Sequence, residues 1–214
     1  MSATENADAI GPVDVVFFAV KMYDAQAATR HLPPLVGPQT VVIPFQNGVD
    51  AVEILTTAVG RPHVAGGTAY VAAVIAEPGL IRHTSMDSLI FGELDGSRSA
   101  RLEGLLAACQ PAGFKAVLSE HIQADIWSKF IRLTVFSGMT GAVRSPLGVL
   151  RASPGLMALL EAAVDETLEV GRAMGVDLDE RVRDEVFTMY RAMPPQAKSS
   201  LLEDLERGRP LELP

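Results

Sequence analysis

The sequence contains a single cysteine, Cys109, among 214 residues. One cysteine excludes an internal disulfide, and chains without disulfides are typical of reducing compartments. The first residues also lack the apolar stretch of a secretory signal. Both absences predict a cytoplasmic location.

Basic residues are in the minority, with 18 Lys and Arg against 26 Asp and Glu and a net charge of −8. A nucleic-acid surface needs clustered cations, so we expect no nucleic-acid partner. No apolar run approaches the ~20 residues of a membrane-spanning helix, so we expect no membrane partner. No histidine pair has ligand-like spacing, so we expect no metal. The four histidines are His31, His63, His83 and His121.

Aromatic residues make up only 6% of the chain, whereas hydrophobic residues make up 48%. The core is therefore expected to be aliphatic, and it is large enough for one large domain or two small ones.

Up to about residue 120, short apolar strands alternate with short helices. Residues 13–20 and 40–45 are nearly continuous β-rich runs, typical of strands buried on both faces of a parallel sheet. Helical patterns over 23–32 and 50–59 complete a strand–helix–strand alternation that predicts an α/β fold with a parallel sheet. Four further elements are predicted: antiparallel strands over 80–84 and 88–91, a helix over 98–109 and a strand over 114–118.

From residue 121 onward only helical periodicity is present. We predict helices over 122–142, 154–174 and 178–193, and a fourth from Lys198. The change of pattern predicts a domain boundary near residue 120.

The stretch from Asp125 to Phe130 contains the only tryptophan and a lysine, Lys129, at the start of an apolar run. If the stretch is helical, Lys129 lies at the edge of an apolar stripe. Partial desolvation there lowers the pKa of an ammonium group toward neutrality, so Lys129 could transfer protons. Alternatively, its stem lies on the core and its charged end reaches water.

Polar residues follow the first two predicted strands, at Lys21 and at Gln46-Asn47-Gly48. Ligands bind at this edge of open α/β sheets, which suggests a nucleotide site. However, no Gly-x-Gly-x-x-Gly follows any strand, so the loop that cradles phosphates is not in this chain. Either the protein does not bind a dinucleotide, or the chain starts after that unit.

Four markers along the chain together resemble the ketopantoate reductase (2-dehydropantoate 2-reductase) family. They are the strand that ends at Lys21, the segment Pro44-Phe45-Gln46-Asn47-Gly48, the segment Trp127-Ser128-Lys129, and Ser199-Ser200 with Asp204 and Glu212. The resemblance implies NADPH-dependent reduction of a 2-oxo acid, by a Rossmann-type domain followed by a helical domain.

Against the family pattern, the chain lacks the first strand and the Gly-rich loop, and it stops at Pro214 where the family continues. We therefore expect a fragment that binds NADPH weakly or not at all. The expected fold is an incomplete Rossmann-type parallel sheet over residues 1–120, followed by an all-helical domain over 121–214.

By this resemblance, Lys129 is the general acid that protonates the developing alkoxide. Asn47 contacts both the nicotinamide ribose and the substrate, and Ser200 donates a hydrogen bond to the substrate. Three more residues are expected on the NADP(H) side: Lys21, Ala73 and Glu212.

Each of these residues also has a purely structural interpretation. Lys21 could be a solvated lysine at a strand end, and Asn47 an ordinary turn residue. Ser199 or Ser200 could be the N-cap of the last helix. Glu212 could lie in a disordered tail.

The sequence departs from the family at asparagines expected one and two helical turns after the lysine. Leu133 and Ser137 occupy those positions, and a third asparagine corresponds to Leu147. We therefore predict a substrate other than ketopantoate, or one held differently, with Ser137 as a binding residue. Two arginines could bind its carboxylate instead: Arg132 and Arg144.

The leading interpretation is therefore a reductase of 2-oxo acids. One alternative is an inactive remnant that acts only as a dimerising or binding module, and another is an unrelated binding module in which Lys129 and Asn47 are structural. The sequence leaves open whether the chain forms a homodimer through the helical domain.

Overall fold

The computed structural model describes residues 3–212. The fold is α/β, with two compact units: Met1–Ile126 (the first unit) and Trp127–Pro214 (the second unit). No helix among the described residues is long and apolar enough to cross a membrane.

The first unit contains five strands and three α-helices among the described residues. Its strands are β1 (Val13–Phe18), β2 (Val36–Pro44), β3 (Gly66–Glu77), β4 (Leu80–Gly92) and β5 (Lys115–Leu118), and its helices are α1 (Met22–Ala28), α2 (Ala51–Val59) and α3 (Ala100–Cys109). The remaining helices are α4 (Ile122–Val143), α5 (Leu147–Ala152), α6 (Pro154–Ala173), α7 (Val182–Ala192) and α8 (Ser200–Glu206).

The strands form two short sheets joined by one parallel bridge between Val42 and Val64. β1 pairs with β2 in parallel, with Phe18 opposite Pro44. β3 and β4 form an antiparallel hairpin, and β5 pairs with β4 in parallel. The parallel β1–β2 pair and the added antiparallel strand agree with the predicted Rossmann-type architecture.

The core lies on both faces of β2, because its successive apolar side chains point to opposite sides. Val42 packs in one cluster with residues of α1, α2 and neighbouring segments. The other buried members of this cluster are Phe18, Ala25, Leu32, Leu55 and Val64. Val41 and Ile43 pack with α3 in the other: Ala65, Phe91, Leu102 and Cys109. Leu102 and Cys109 are therefore the buried residues by which the predicted helix over 98–109 contributes to this core.

The prediction that the first strand is buried on both faces was wrong. Phe17 is 50% exposed, and Phe18 is the one fully buried residue of β1. β1 lies at the edge of its sheet, so the helices that cover β2 leave part of β1 uncovered.

The predicted turn between two strands at 80–84 and 88–91 was also wrong, because β4 runs through it without a break. The pairing with β3 shifts register near Ala72, and Met86 has a positive φ of 56°. A bulge of this kind places polar residues within a strand without ending the ladder.

The predicted long helices are confirmed to within a residue for α4 and α6. α7 begins at Val182 instead of 178, and the short helix α5 was not predicted. α5 follows Pro146, which suits a helix start, but six residues are too few for a visible period.

Within the second unit, α4 packs closely against α6. Trp127, Ile131 and Val135 are buried and recur at the spacing of one helical face. A Cβ atom at Gly171 of α6 would lie 2.9 Å from Cε3 of Trp127. Only glycine permits this approach, which positions the start of the segment that contains Lys129.

Candidate active site

Lys129 is a buried cation in α4, with only 8% of its surface exposed. Phe136 and Thr140, two and three turns further along the same helix face, are also buried. Burial and, to a smaller extent, the neighbouring positive charge of Arg132 together lower the pKa of Lys129 from 10.5 to about 8. An exposure of 8% argues against the alternative in which the ammonium group reaches open water.

The backbone beside Lys129 is anchored to α7. The hydroxyl group of Tyr190 donates a hydrogen bond to the carbonyl oxygen of Arg132 at 2.6 Å. The Tyr190 ring contacts Phe136 and Phe187, with centroid distances of 6.0 and 6.2 Å. This packing fixes the turn of α4 that presents Lys129 and Arg132.

A second anchor joins α4 to the start of α8. The hydroxyl groups of Thr140 and Ser199 lie 2.7 Å apart and are both buried. Ser199 is the N-cap, because its Oγ also accepts a hydrogen bond from the Leu202 amide at 3.1 Å. Ser200 is therefore the first residue of α8, and it is exposed. The N-cap role falls to Ser199, which leaves the hydroxyl of Ser200 for the predicted substrate contact.

The positions of the family's asparagines are divided between surface and core. Leu133 and Ser137 are partly exposed on α4, whereas Leu147 is completely buried at the start of α5. Leu147 therefore belongs to the hydrophobic core. Ser137 stays a prediction as a substrate-binding residue.

Lys21 and Asn47 lie at the same edge of the β1–β2 sheet. Lys21 follows Phe18 by three residues and Asn47 follows Pro44 by three residues, and Phe18 and Pro44 are paired across the two strands. The Phe45 amide donates a hydrogen bond to the Phe18 carbonyl oxygen at 2.9 Å. Both side chains are exposed. This is the carboxyl edge of the strands, where ligands of open α/β sheets bind.

Gln46 is a residue of this edge that was not predicted as a site residue. Its side-chain nitrogen and oxygen are both buried and have no hydrogen-bond partner among the described residues. A buried amide without partners costs about 1–3 kcal/mol, so such a group is a candidate for ligand contact. In the sequence, its position in a polar turn next to Asn47 was the feature that could have identified it as a site residue. Turn residues are common and seldom bind ligands, so this feature is weak.

Ala73 and Glu212 are the remaining two of the predicted site residues. Ala73 lies in the exposed part of β3, where it pairs with His83. Glu212 is half-buried at the end of the described residues. Lys129, Ser137, Ser200 and Glu212 lie in the second unit, and Lys21, Asn47 and Ala73 lie in the first. Among residues 3–212, no group of three or more His, Cys, Asp and Glu side chains is placed to hold a metal ion.

Residues 1–96 match the family model described as ketopantoate reductase PanE/ApbA. Residues 121–214 match the model described as ketopantoate reductase PanE/ApbA C terminal. The uncharacterized oxidoreductase YkpB of Bacillus subtilis is 31% identical over 203 residues, which cover 94% of this chain and 67% of that protein.

The chain belongs to the ketopantoate reductase family.

Two relatives that are named as reductases of this family show the same extent of similarity. The 2-dehydropantoate 2-reductase of Mesorhizobium japonicum is 29% identical over 235 residues, covering 99% of this chain and 70% of that enzyme. The crystal structure of a PanE/ApbA family ketopantoate reductase from Ralstonia eutropha JMP134 superposes with a TM-score of 0.87 at 28% identity, covering 99% of this chain and 68% of that one. This chain thus spans about two thirds of the length of these three relatives.

Proposed function

We propose that this chain acts in the NADPH-dependent reduction of a 2-oxo acid, with Lys129 as the general acid. The observation that supports this most directly is the burial of Lys129, which lowers its pKa to about 8. A general acid is most effective when its pKa lies near the working pH. The curated relative from Mesorhizobium japonicum bears the name of such a reductase.

In this proposal, Nζ of Lys129 donates a proton to the keto oxygen as the carbonyl bond is reduced. The C=O π bond breaks, a C–H bond and an O–H bond form, and the product is a 2-hydroxy acid. Before the transfer, the ammonium group also stabilises the negative charge that develops on that oxygen. Asn47 and Ser200 would orient the substrate.

The nicotinamide cofactor, when bound, supplies the hydride. Its nicotinamide ribose fits the carboxyl edge of the β1–β2 sheet, because the buried amide of Gln46 offers an NH₂ donor group and a carbonyl acceptor that have no partners among the described residues. Lys21 and Asn47 are exposed at the same edge. Ala73 and Glu212 stay predictions as cofactor contacts.

The test compares turnover by this chain with that of two lysine variants. Absorbance of NADPH is followed with ketopantoate, 2-oxoisovalerate and 2-oxobutyrate as substrates. We expect Lys129→Met to lower kcat by about 10²–10⁴-fold, because removing a general acid typically costs that much. Lys115→Met is the matched control, since Lys115 is exposed on β5 and should leave turnover unchanged. Equal turnover by the wild type and Lys129→Met would contradict the proposal.

The second candidate function is a binding or dimerising module without activity. The observation in its favour is that the turns after β1 and β2 contain no Gly-x-Gly-x-x-Gly, so neither can cradle a pyrophosphate in the usual way. Titration of NADPH fluorescence separates the two functions. Micromolar binding favours the reductase, whereas no saturation together with no turnover favours the module.

A further inference from the structure

A second cation, Arg132, lies about one helical turn after Lys129 on α4. Arg132 follows Lys129 by three residues on α4, a rise of about 4.5 Å that places both on neighbouring parts of one face. Arg132 is partly exposed, whereas Lys129 is buried. Its charge is close enough to contribute to the lowered pKa of Lys129.

Arg132 is also held on a rigid part of the helix. Its carbonyl oxygen accepts the hydrogen bond from Tyr190, and the Tyr190 ring packs between Phe136 and Phe187. A binding residue on a locked turn loses little conformational freedom when a ligand arrives.

Arg144 does not share this location. It lies fifteen residues from Lys129, just past the end of α4, which corresponds to about 22 Å along the helix axis. It is also exposed and has a positive φ of 51°. The carboxylate and keto groups of a 2-oxo acid are on adjacent carbon atoms, so one small molecule cannot reach Lys129 and Arg144 together.

We infer that Arg132 binds the carboxylate of the 2-oxo acid whose keto oxygen Lys129 protonates, an inference that rests on the proposed function. The guanidinium group offers paired N–H donors that match a carboxylate, whereas a neutral amide offers only one acceptor atom. The site therefore selects 2-oxo monocarboxylates over uncharged ketones of the same shape. Arg132 takes the place of amide donors that Leu133 cannot supply.

The experiment measures binding of 2-oxobutyrate and of its uncharged analogue 2-oxobutyramide by calorimetry, in the presence of NADP⁺. We expect the wild-type chain to bind the acid about 10- to 100-fold more tightly than the amide, as a charge-assisted pair implies. Arg132→Met should abolish this preference by weakening acid binding alone. Arg132→Lys should restore part of it, because lysine keeps the charge but not the paired donors.

The matched control is Arg172→Met, because Arg172 is an exposed arginine of α6. It should leave the acid-to-amide ratio unchanged. The inference is overturned if Arg132→Met weakens both probes equally, if Arg144→Met removes the preference instead, or if the wild type binds neither probe at millimolar concentration.

The outcome is separable from that of the proposed function. If the wild type prefers the acid through Arg132 but shows no turnover, the reductase proposal fails and the carboxylate site stands. If turnover depends on Lys129 but Arg132→Met keeps the preference for the acid, the carboxylate site fails and the reductase proposal stands.

Discussion

At the scale of single residues, Lys129 combines its proposed role as general acid with a cost in stability. Helical spacing was enough to predict from the sequence that this lysine lies at the edge of an apolar stripe. The sequence could not predict how completely it is buried, because that depends on packing within the second unit. Gln46 was missed for a related reason, since the lack of partners for a turn amide is visible only in three dimensions.

We predict that Lys129→Met stabilises the fold near neutral pH. Below about pH 8, Lys129 is charged in both the native and the unfolded state, so the full cost of burying the charge is present. Between about pH 8 and 10.5, the native state has released the proton and the unfolded state still holds it, so wild-type stability rises with pH. The variant should be more stable by on the order of 3 kcal/mol at neutral pH, and the difference should vanish by about pH 10.5.

The measurement is denaturant unfolding of both proteins across this pH range, with Lys115→Met as the control. Lys115 is exposed, so its removal should give no pH-dependent difference. A gap between the wild type and Lys129→Met that stays constant with pH would show that the ammonium group is not desolvated in the native state.

At the scale of elements, the sequence predicted strongly periodic helices better than strands. α4 and α6 have long apolar stripes, so their limits could be predicted within a residue. β4 was divided in two because its polar centre resembles a turn, and only pairing with β3 shows that the ladder continues. The N-cap of α8 stayed ambiguous in the sequence between Ser199 and Ser200, because the hydrogen bond that decides it, from the Leu202 amide to Oγ of Ser199, is visible only in the structure.

Two glycines in the helices of the second unit give a matched pair of predictions. A Cβ atom at Gly171 would lie 2.7 Å from Cδ1 of Leu178 and 2.9 Å from Trp127, so Gly171→Ala should destabilise the fold by about 1–3 kcal/mol. A Cβ atom at Gly138 meets nothing within 4 Å, so Gly138→Ala should stabilise it by about 0.5–1 kcal/mol. Thermal unfolding of both variants is the measurement. Stabilisation by both variants would show that α4 and α6 do not approach closely.

At the scale of the whole molecule, net charge opposes the association that exposed apolar surface favours. The ends of β3 and β4 are mostly exposed and apolar: Val71, Val74, Ile75, Leu80, Ile81 and Met86. The net charge of −8 repels like copies. Exposed apolar strands are sites of self-association when that repulsion is screened.

We therefore expect the chain to associate increasingly as salt is raised, and the double variant Ile75→Thr/Ile81→Thr to stay monomeric under the same conditions. Threonine keeps the β preference of isoleucine but removes apolar area. Sedimentation velocity at several protein concentrations is the measurement, with Ile10→Thr as the control because Ile10 is exposed outside the hairpin. Association unchanged by the double variant would assign it to another surface.

The hydrogen bond from Tyr190 to Arg132 has a consequence for reading any pH profile of this chain. Burial raises the pKa of the Tyr190 phenol well above its ordinary value, so the donor keeps its hydrogen in alkaline solution. The contact between α4 and α7 therefore survives at a pH where the ammonium group of Lys129 has already become an amine. An alkaline decline in rate, with a midpoint near 8, would then report chemistry at one nitrogen atom rather than loosening of the scaffold around it.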